Sequence, residues 1–250
     1  MPDGSTTAIV VYHGVSVDEA EAFRFVLSHL PGCRTVTAGT VRGTLTGVGG
    51  TETAEVALSE VYDPEIVAVP GGIACHRRTE IADWLRGISP RWMLASSTGS
   101  TLLAAADLLR DAPVAGHWLA GPILERYGAH ASRVPVIVDG PIITCSGHVT
   151  AFRAALVVAE FYGGKELVTR IRADAAAARA GSAPSSTRTV WQRLRYAFLR
   201  RDRPPSPVRT PPREPLQDVE ILDLGRVTPP QHPRSAHERP PHRDRPPKAP

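Results

Sequence analysis

Cysteine is scarce in this sequence. Cys33, Cys75 and Cys145 are far apart and odd in number, so they supply neither a disulfide framework nor metal-ligand spacing. The expectation is a chain kept in a reducing compartment with no metal site. Lysine occurs only at Lys165 and Lys248, so the formal net charge of +4 is carried by arginine. The opening stretch MPDGSTTAIVVY has no basic region ahead of a long apolar segment. No apolar run approaches the roughly 20 residues that a membrane span needs. These absences exclude a disulfide scaffold and a transmembrane protein, and predict a cytoplasmic one.

What is present is unevenly spread. Hydrophobic residues make up 42% of 250, enough for one α/β domain if they are concentrated in one part of the chain. They are, because fourteen of the 24 prolines fall in the last fifty residues. Three regions result: a folded domain over 1–180, a basic amphipathic helix and linker over 181–203, and a Pro/Arg-rich tail over 204–250, too polar to build a core and expected to be disordered.

The domain reads as alternating strands and helices. Residues 8–12 form an apolar run, followed by a helix with Ala22, Phe25, Val26 and Leu30 at helical spacing and stopped by Pro31-Gly32. Residues 34–38 alternate as a strand, and the Gly/Thr-rich stretch 39–50 reads as a hairpin or irregular pair. Its glycines do not open a helix, so it is no phosphate loop, and no cofactor motif appears elsewhere. Residues 65–69 form a strand ended by Pro70-Gly71-Gly72, and 79–86 a helix. After a short run over 112–115, Gly116-His117-Trp118 leads into a helix ending at Gly128. Residues 134–138 and 142–145 flank Asp139-Gly140 as a hairpin, and helices follow over 150–161 and 165–180.

The organising stretch is MLASSTGSTLLAAADLL, residues 93–109. A buried strand over 92–95 stops at a small polar turn, and apolar residues then resume at helical spacing through Leu109. A strand–turn–helix of this kind lifts one side chain above the carboxyl edge of the sheet, beside free backbone N–H groups. Ser97 takes that place. The plainer reading is that Ser96, Ser97 and Thr98 simply cap a helix. In a parallel sheet Asp18, Gly72, Ser97 and His117 would all reach one rim, because each follows a strand or a short apolar segment.

The PGG turn, the S-T-G-x-x-x-L-A-x-A-x-L-L elbow, the His-Trp pair after it and ITCSGHVTAFRAAL together resemble the ThiJ/PfpI family of the class I glutamine-amidotransferase-like superfamily. They are most similar to its isonitrile-hydratase-like members and to the sensor domains of AraC-type regulators. The resemblance covers residues 8–163. It implies a flavodoxin-like three-layer α/β sandwich with a mainly parallel sheet and a nucleophile-elbow turn. It puts Ser97 where the family carries a cysteine, and Asp18 or Glu19 as the acid facing it. By the same resemblance Gly72 is a backbone oxyanion donor, Thr98 supplies the N–H beside the nucleophile, and His117 and Trp118 stand near the pocket. Peptidase-like members have a histidine directly after the nucleophile, where this chain has Thr98. Cys145 matches a small packing residue, and Cys75 follows the PGG turn closely enough to line the rim. A homodimer is also implied.

Two functions remain open. One is a regulatory or other non-catalytic protein that binds a small molecule in a pocket without its thiol, a pseudoenzyme. The other is a hydratase or hydrolase with Asp18 as acid/base and Ser97 at the elbow. The first is favoured, because a carboxylate of ordinary pKa is a poor base for a serine hydroxyl and no Ser–His pairing is legible. Residues 186–201 place Val190, Trp191, Leu194, Phe198 and Leu199 along one side of a basic helix. Such a helix suits its own domain, an acidic membrane surface or nucleic acid. VEILDL, residues 219–224, is an apolar island suited to a partner.

Overall fold

The computed structural model describes residues 4–180 and 221–223. The chain runs through β1 (Ser5–Val10), α1 (Val17–Leu27) and β2 (Cys33–Gly39), then the hairpin β3 (Gly43–Gly47) and β4 (Gly50–Ala54) and the short β5 (Val56–Ala57). It continues as β6 (Ile66–Val69), α2 (Thr79–Arg86), β7 (Trp92–Ser96) and α3 (Ser100–Ala105), followed by β8 (Pro113–Ala115), α4 (Gly121–Arg126) and β9 (His130–Ser132). The hairpin β10 (Val136–Asp139) and β11 (Ile142–Cys145), helix α5 (His148–Ala180) and a last strand β12 (Ile221–Asp223) complete it.

The main sheet has the order β12-β10-β11-β7-β6-β1-β2-β5. Its pairs from β11 to β5 are all parallel. From β1 the chain steps outward to β2, and from β6 it steps the other way through β7 to β11. Crossovers between parallel strands are right-handed, so the two directions of travel put their helices on opposite faces. Accordingly α1 packs on α5, while α2 and α4 pack on α3. This is the mainly parallel, flavodoxin-like three-layer arrangement implied by the sequence. The strands at its centre are buried on both faces: every residue of IVAV in β6 and of WMLAS in β7 is buried, as continuous apolar runs in a parallel sheet require.

Two details depart from the sequence reading, and one that agrees with it lies between them. Helix α3 ends at Ala105, because Asp107 turns the chain left-handed at φ 63°; Leu109 still packs inward from the loop beyond it. The two helices expected over 150–161 and 165–180 are present, because α5 bends at Gly164, whose φ of 65° and ψ of −169° are non-helical and separate one helix from the next. Finally, three residues of the tail expected to be disordered, Ile221–Asp223, form β12, which pairs in parallel with β10; the rest of that tail lies outside the described residues. An edge strand offers a row of unpaired peptide groups, and an apolar segment free to extend can satisfy them. The amphipathic segment over 186–201 lies outside the described residues. No helix among the described residues is long and apolar enough to cross a membrane.

Candidate functional site

Strands β1, β6 and β7 are neighbours, so the connections leaving their carboxyl ends meet at one place on the rim. The point where the chain reverses its direction across such a sheet, here beside β1, is where α/β folds open a crevice. The elbow after β7 stands there. β7 ends at Ser96, a single 3-10 turn carries Ser97, Thr98 and Gly99, and α3 begins at Ser100. Ser97 holds φ at 57°, a left-handed conformation that a non-glycine residue adopts only under constraint, and it is buried. The turn is fixed from below. The Ser100 hydroxyl donates to the Ser97 carbonyl at 3.0 Å and the Thr101 hydroxyl to the Thr98 carbonyl at 2.7 Å.

The carboxyl group that reaches the elbow belongs to Glu19, in the first turn of α1. Its Oε2 accepts the Gly71 N–H at 2.7 Å and the Ser96 hydroxyl at 2.5 Å, and the Ser97 hydroxyl also favours its charged form. Burial nevertheless dominates and raises the Glu19 pKa above its ordinary value. Gly71 makes the approach possible. A Cβ there would sit 2.8 Å from the Ser97 Cβ and 2.9 Å from Glu19 Oε2. Asp18, the other acid that the resemblance allowed, instead lies toward the β3–β4 turn, its Oδ1 4.0 Å from where a Cβ on Gly49 would be. Helical phase is the reason: Glu19 shares the inward stripe with Phe23 and Val26, whereas Asp18 and Glu21 are only half-buried at its border.

The oxyanion assignment also shifts. The Gly72 N–H donates to the Thr98 hydroxyl oxygen at 2.9 Å, and that hydroxyl donates back to the Gly72 carbonyl at 2.8 Å. Gly72 is therefore beside the elbow but is engaged with Thr98 as a clamp. The Thr98 N–H belongs to the first turn of the helical segment, where no preceding turn supplies an acceptor. Cys75 is buried behind the elbow. Its thiol donates to the Thr98 carbonyl at 2.8 Å and lies 3.2 Å from the Thr101 hydroxyl. Tyr12 closes the same wall: its hydroxyl donates to the Pro70 carbonyl at 2.9 Å, and burial raises its pKa well above the ordinary value. Cys145, on β11 beside Ser96, is fully buried, which pushes its thiol pKa up.

Gly116 brings the His-Trp segment to the elbow, since a Cβ there would lie 3.1 Å from the Ser97 carbonyl oxygen. His117 begins a 3-10 turn, and its Nδ1 accepts the Leu119 N–H at 3.3 Å. Trp118 is 78% exposed, so it stands in solvent rather than walling a closed pocket. The sequence reading places Ser96 only in a helix cap and Gly71 only in the PGG turn, and gives Tyr12 no site role. Ser96 precedes the elbow tip, where strand alternation gives no hint that its hydroxyl would share the carboxyl group with Ser97. Among the described residues no cluster of histidine, cysteine, aspartate or glutamate could hold a metal ion.

Solved structures share this architecture. A ThiJ/PfpI family protein from Pseudomonas syringae superposes with a TM-score of 0.66 at 19% identity, covering 80% of this chain and 89% of that one. Drosophila melanogaster DJ-1beta superposes with a TM-score of 0.59 at 22% identity, covering 67% and 95%. A two-domain protein from Anabaena variabilis, with DJ-1/ThiJ/PfpI-like and ferritin-like domains, gives 0.56 at 23% identity over 64% of this chain and 49% of that one. No curated protein matches the sequence. A profile of the DJ-1/PfpI family matches residues 7–160, which span β1 to the body of α5 and hold the elbow, Glu19 and the PGG turn: the chain belongs to the DJ-1/PfpI family.

Proposed function

We propose that this chain is a non-catalytic member of its family, with Ser97 in place of the family's nucleophilic cysteine, and that the elbow binds a small molecule. The observation that carries this is the state of Glu19. Its Oε2 is already engaged in accepting the Gly71 N–H and the Ser96 hydroxyl, and even with its pKa raised by burial a carboxylate is far less basic than the alkoxide it would have to generate from Ser97. The Gly72 N–H is committed to Thr98 as well. What is left is recognition. The Ser97 hydroxyl and the Thr98 N–H are donors that suit a ligand with a hydrogen-bond acceptor, such as a small carboxylate, amide or aldehyde.

The test has two parts on the full chain. Thermal-shift measurements with millimolar small carboxylates, amides, aldehydes and isonitriles should find a compound that raises Tm in the wild type and loses that effect in Ser97→Gly. Assays of the same amides and isonitriles for hydrolysis or hydration should show wild type and Ser97→Gly alike at the buffer rate. Turnover that disappears in Ser97→Gly would overturn the reading.

One observation favours a second reading. A strained residue held at φ 57° against a buried acid is the kind of feature found where chemistry occurs. In that case the chain is a hydratase or lyase with Glu19, not Asp18, passing the proton, and Glu19→Gln would abolish turnover while ligand binding persisted.

A further inference from the structure

The proline-rich tail holds one stretch unlike the rest. Between Pro215 and Pro229 there is no proline, the longest such interval in residues 204–250, and VEILDL lies at its centre. Proline cannot donate to a strand ladder, so this is the part of the tail best able to pair along its length. The structure pairs it. Ile221 stands beside Val136, Leu222 beside Ile137 and Asp223 beside Val138, in parallel register. The other side of β10 is taken by β11. Without β12, the apolar β10 would be the outermost strand of the sheet, a template for any extended chain.

The pairing is also slight. Three residues in a parallel ladder make few hydrogen bonds. Residues 181–220 join them to the end of α5, and at roughly 3.3–3.6 Å per extended residue that connection far exceeds what a return to the same domain requires. A short ladder on a long tether is held by its effective concentration more than by its contacts.

We propose that the outer edge of β10 is a strand-addition site, and that the chain's own β12, Ile221–Asp223, occupies it in cis as a removable strap. Recognition is main-chain hydrogen bonding by an extended segment with two apolar residues followed by an acidic one, here Ile221, Leu222 and Asp223. The strap keeps the edge from pairing with other chains, and a segment of the same chemistry displaces it.

Hydrogen exchange of the full chain reads the edge directly, and a labelled peptide of sequence 217–226 reads its availability. In the wild type, the amides of Val136 and Val138, which alternate away from β11, should be protected independently of protein concentration, and the peptide should bind weakly because the tethered segment competes. In full-length Leu222→Pro, protection of the Val136 and Val138 amides should fall at least tenfold while that of Ile137, which faces β11, holds, and peptide affinity should rise at least tenfold; a peptide carrying the same substitution should not bind. Ile221→Lys combined with Leu222→Lys should behave like Leu222→Pro, which separates loss of pairing from any other effect of proline. Unchanged protection in both variants, or failure of the peptide to bind them, would overturn the proposal. Protection that rises with protein concentration alongside a dimer would overturn the cis strap and assign the segment to a neighbouring copy.

Discussion

Ser97 and Glu19 carry opposite strains. A left-handed non-glycine residue costs on the order of 1 kcal/mol or more, so Ser97→Gly should stabilise the chain by about 1 kcal/mol in urea unfolding while removing the ligand response; lower stability would mean that the hydroxyl's bonding outweighs its backbone strain. Glu19 is destabilised as an anion. Because burial raises its folded pKa above the ordinary value near 4.5, the native state keeps a proton that the unfolded chain releases, and stability is fully present below that value and lost as pH rises through the folded pKa. Glu19→Gln does not titrate. Its Tm should therefore gain on the wild type as pH rises from the ordinary value toward the raised one, by roughly 3–5 °C per unit by which the pKa is raised. A wild type that gains on the variant with rising pH would show that the Gly71 and Ser96 donors outweigh burial. The choice between Asp18 and Glu19 was nearly legible in the sequence. Both follow Val17, but only Glu19 falls four residues before Phe23 and seven before Val26, in phase with the core.

The PGG turn and the elbow fit together as one unit, and their tolerance should differ sharply from that of ordinary glycines. Gly71→Ala pushes a methyl group into Ser97 and Glu19, with contacts of 2.8 and 2.9 Å; equilibrium unfolding should show a loss of about 1–3 kcal/mol. At the end of α2, Gly87→Ala meets nothing closer than 3.5 Å and should stay within about 0.5 kcal/mol. Equal effects would mean that the turn yields rather than resists. Elements with apolar runs of their own, β6, β7 and the β10–β11 hairpin, were readable because burial on both faces leaves a continuous hydrophobic signature. β9, whose sequence is HAS with two exposed residues, leaves none. It exists because β8 needs a partner, which is a tertiary fact.

Over the whole molecule, the mainly parallel sheet followed from alternation alone, since strands joined by helices leave little choice of handedness or of the rim where ligands bind. The closure of that sheet by a segment beyond residue 204 did not, because composition reports that a stretch cannot build a core and says nothing of whether it can complete one. The central claim is that the fold retains an elbow built to activate a thiol and presents a serine there. Intact-mass analysis of the full chain tests this most directly, using a fluorophosphonate on the wild type and iodoacetamide on Ser97→Cys in a Cys33→Ser background, which removes the half-buried thiol of Cys33. The wild type should carry no fluorophosphonate adduct, and the introduced thiol should be alkylated with a pH midpoint below the roughly 8.5 of an ordinary cysteine. A fluorophosphonate adduct on Ser97 of the wild type would contradict the account and make this chain a serine enzyme.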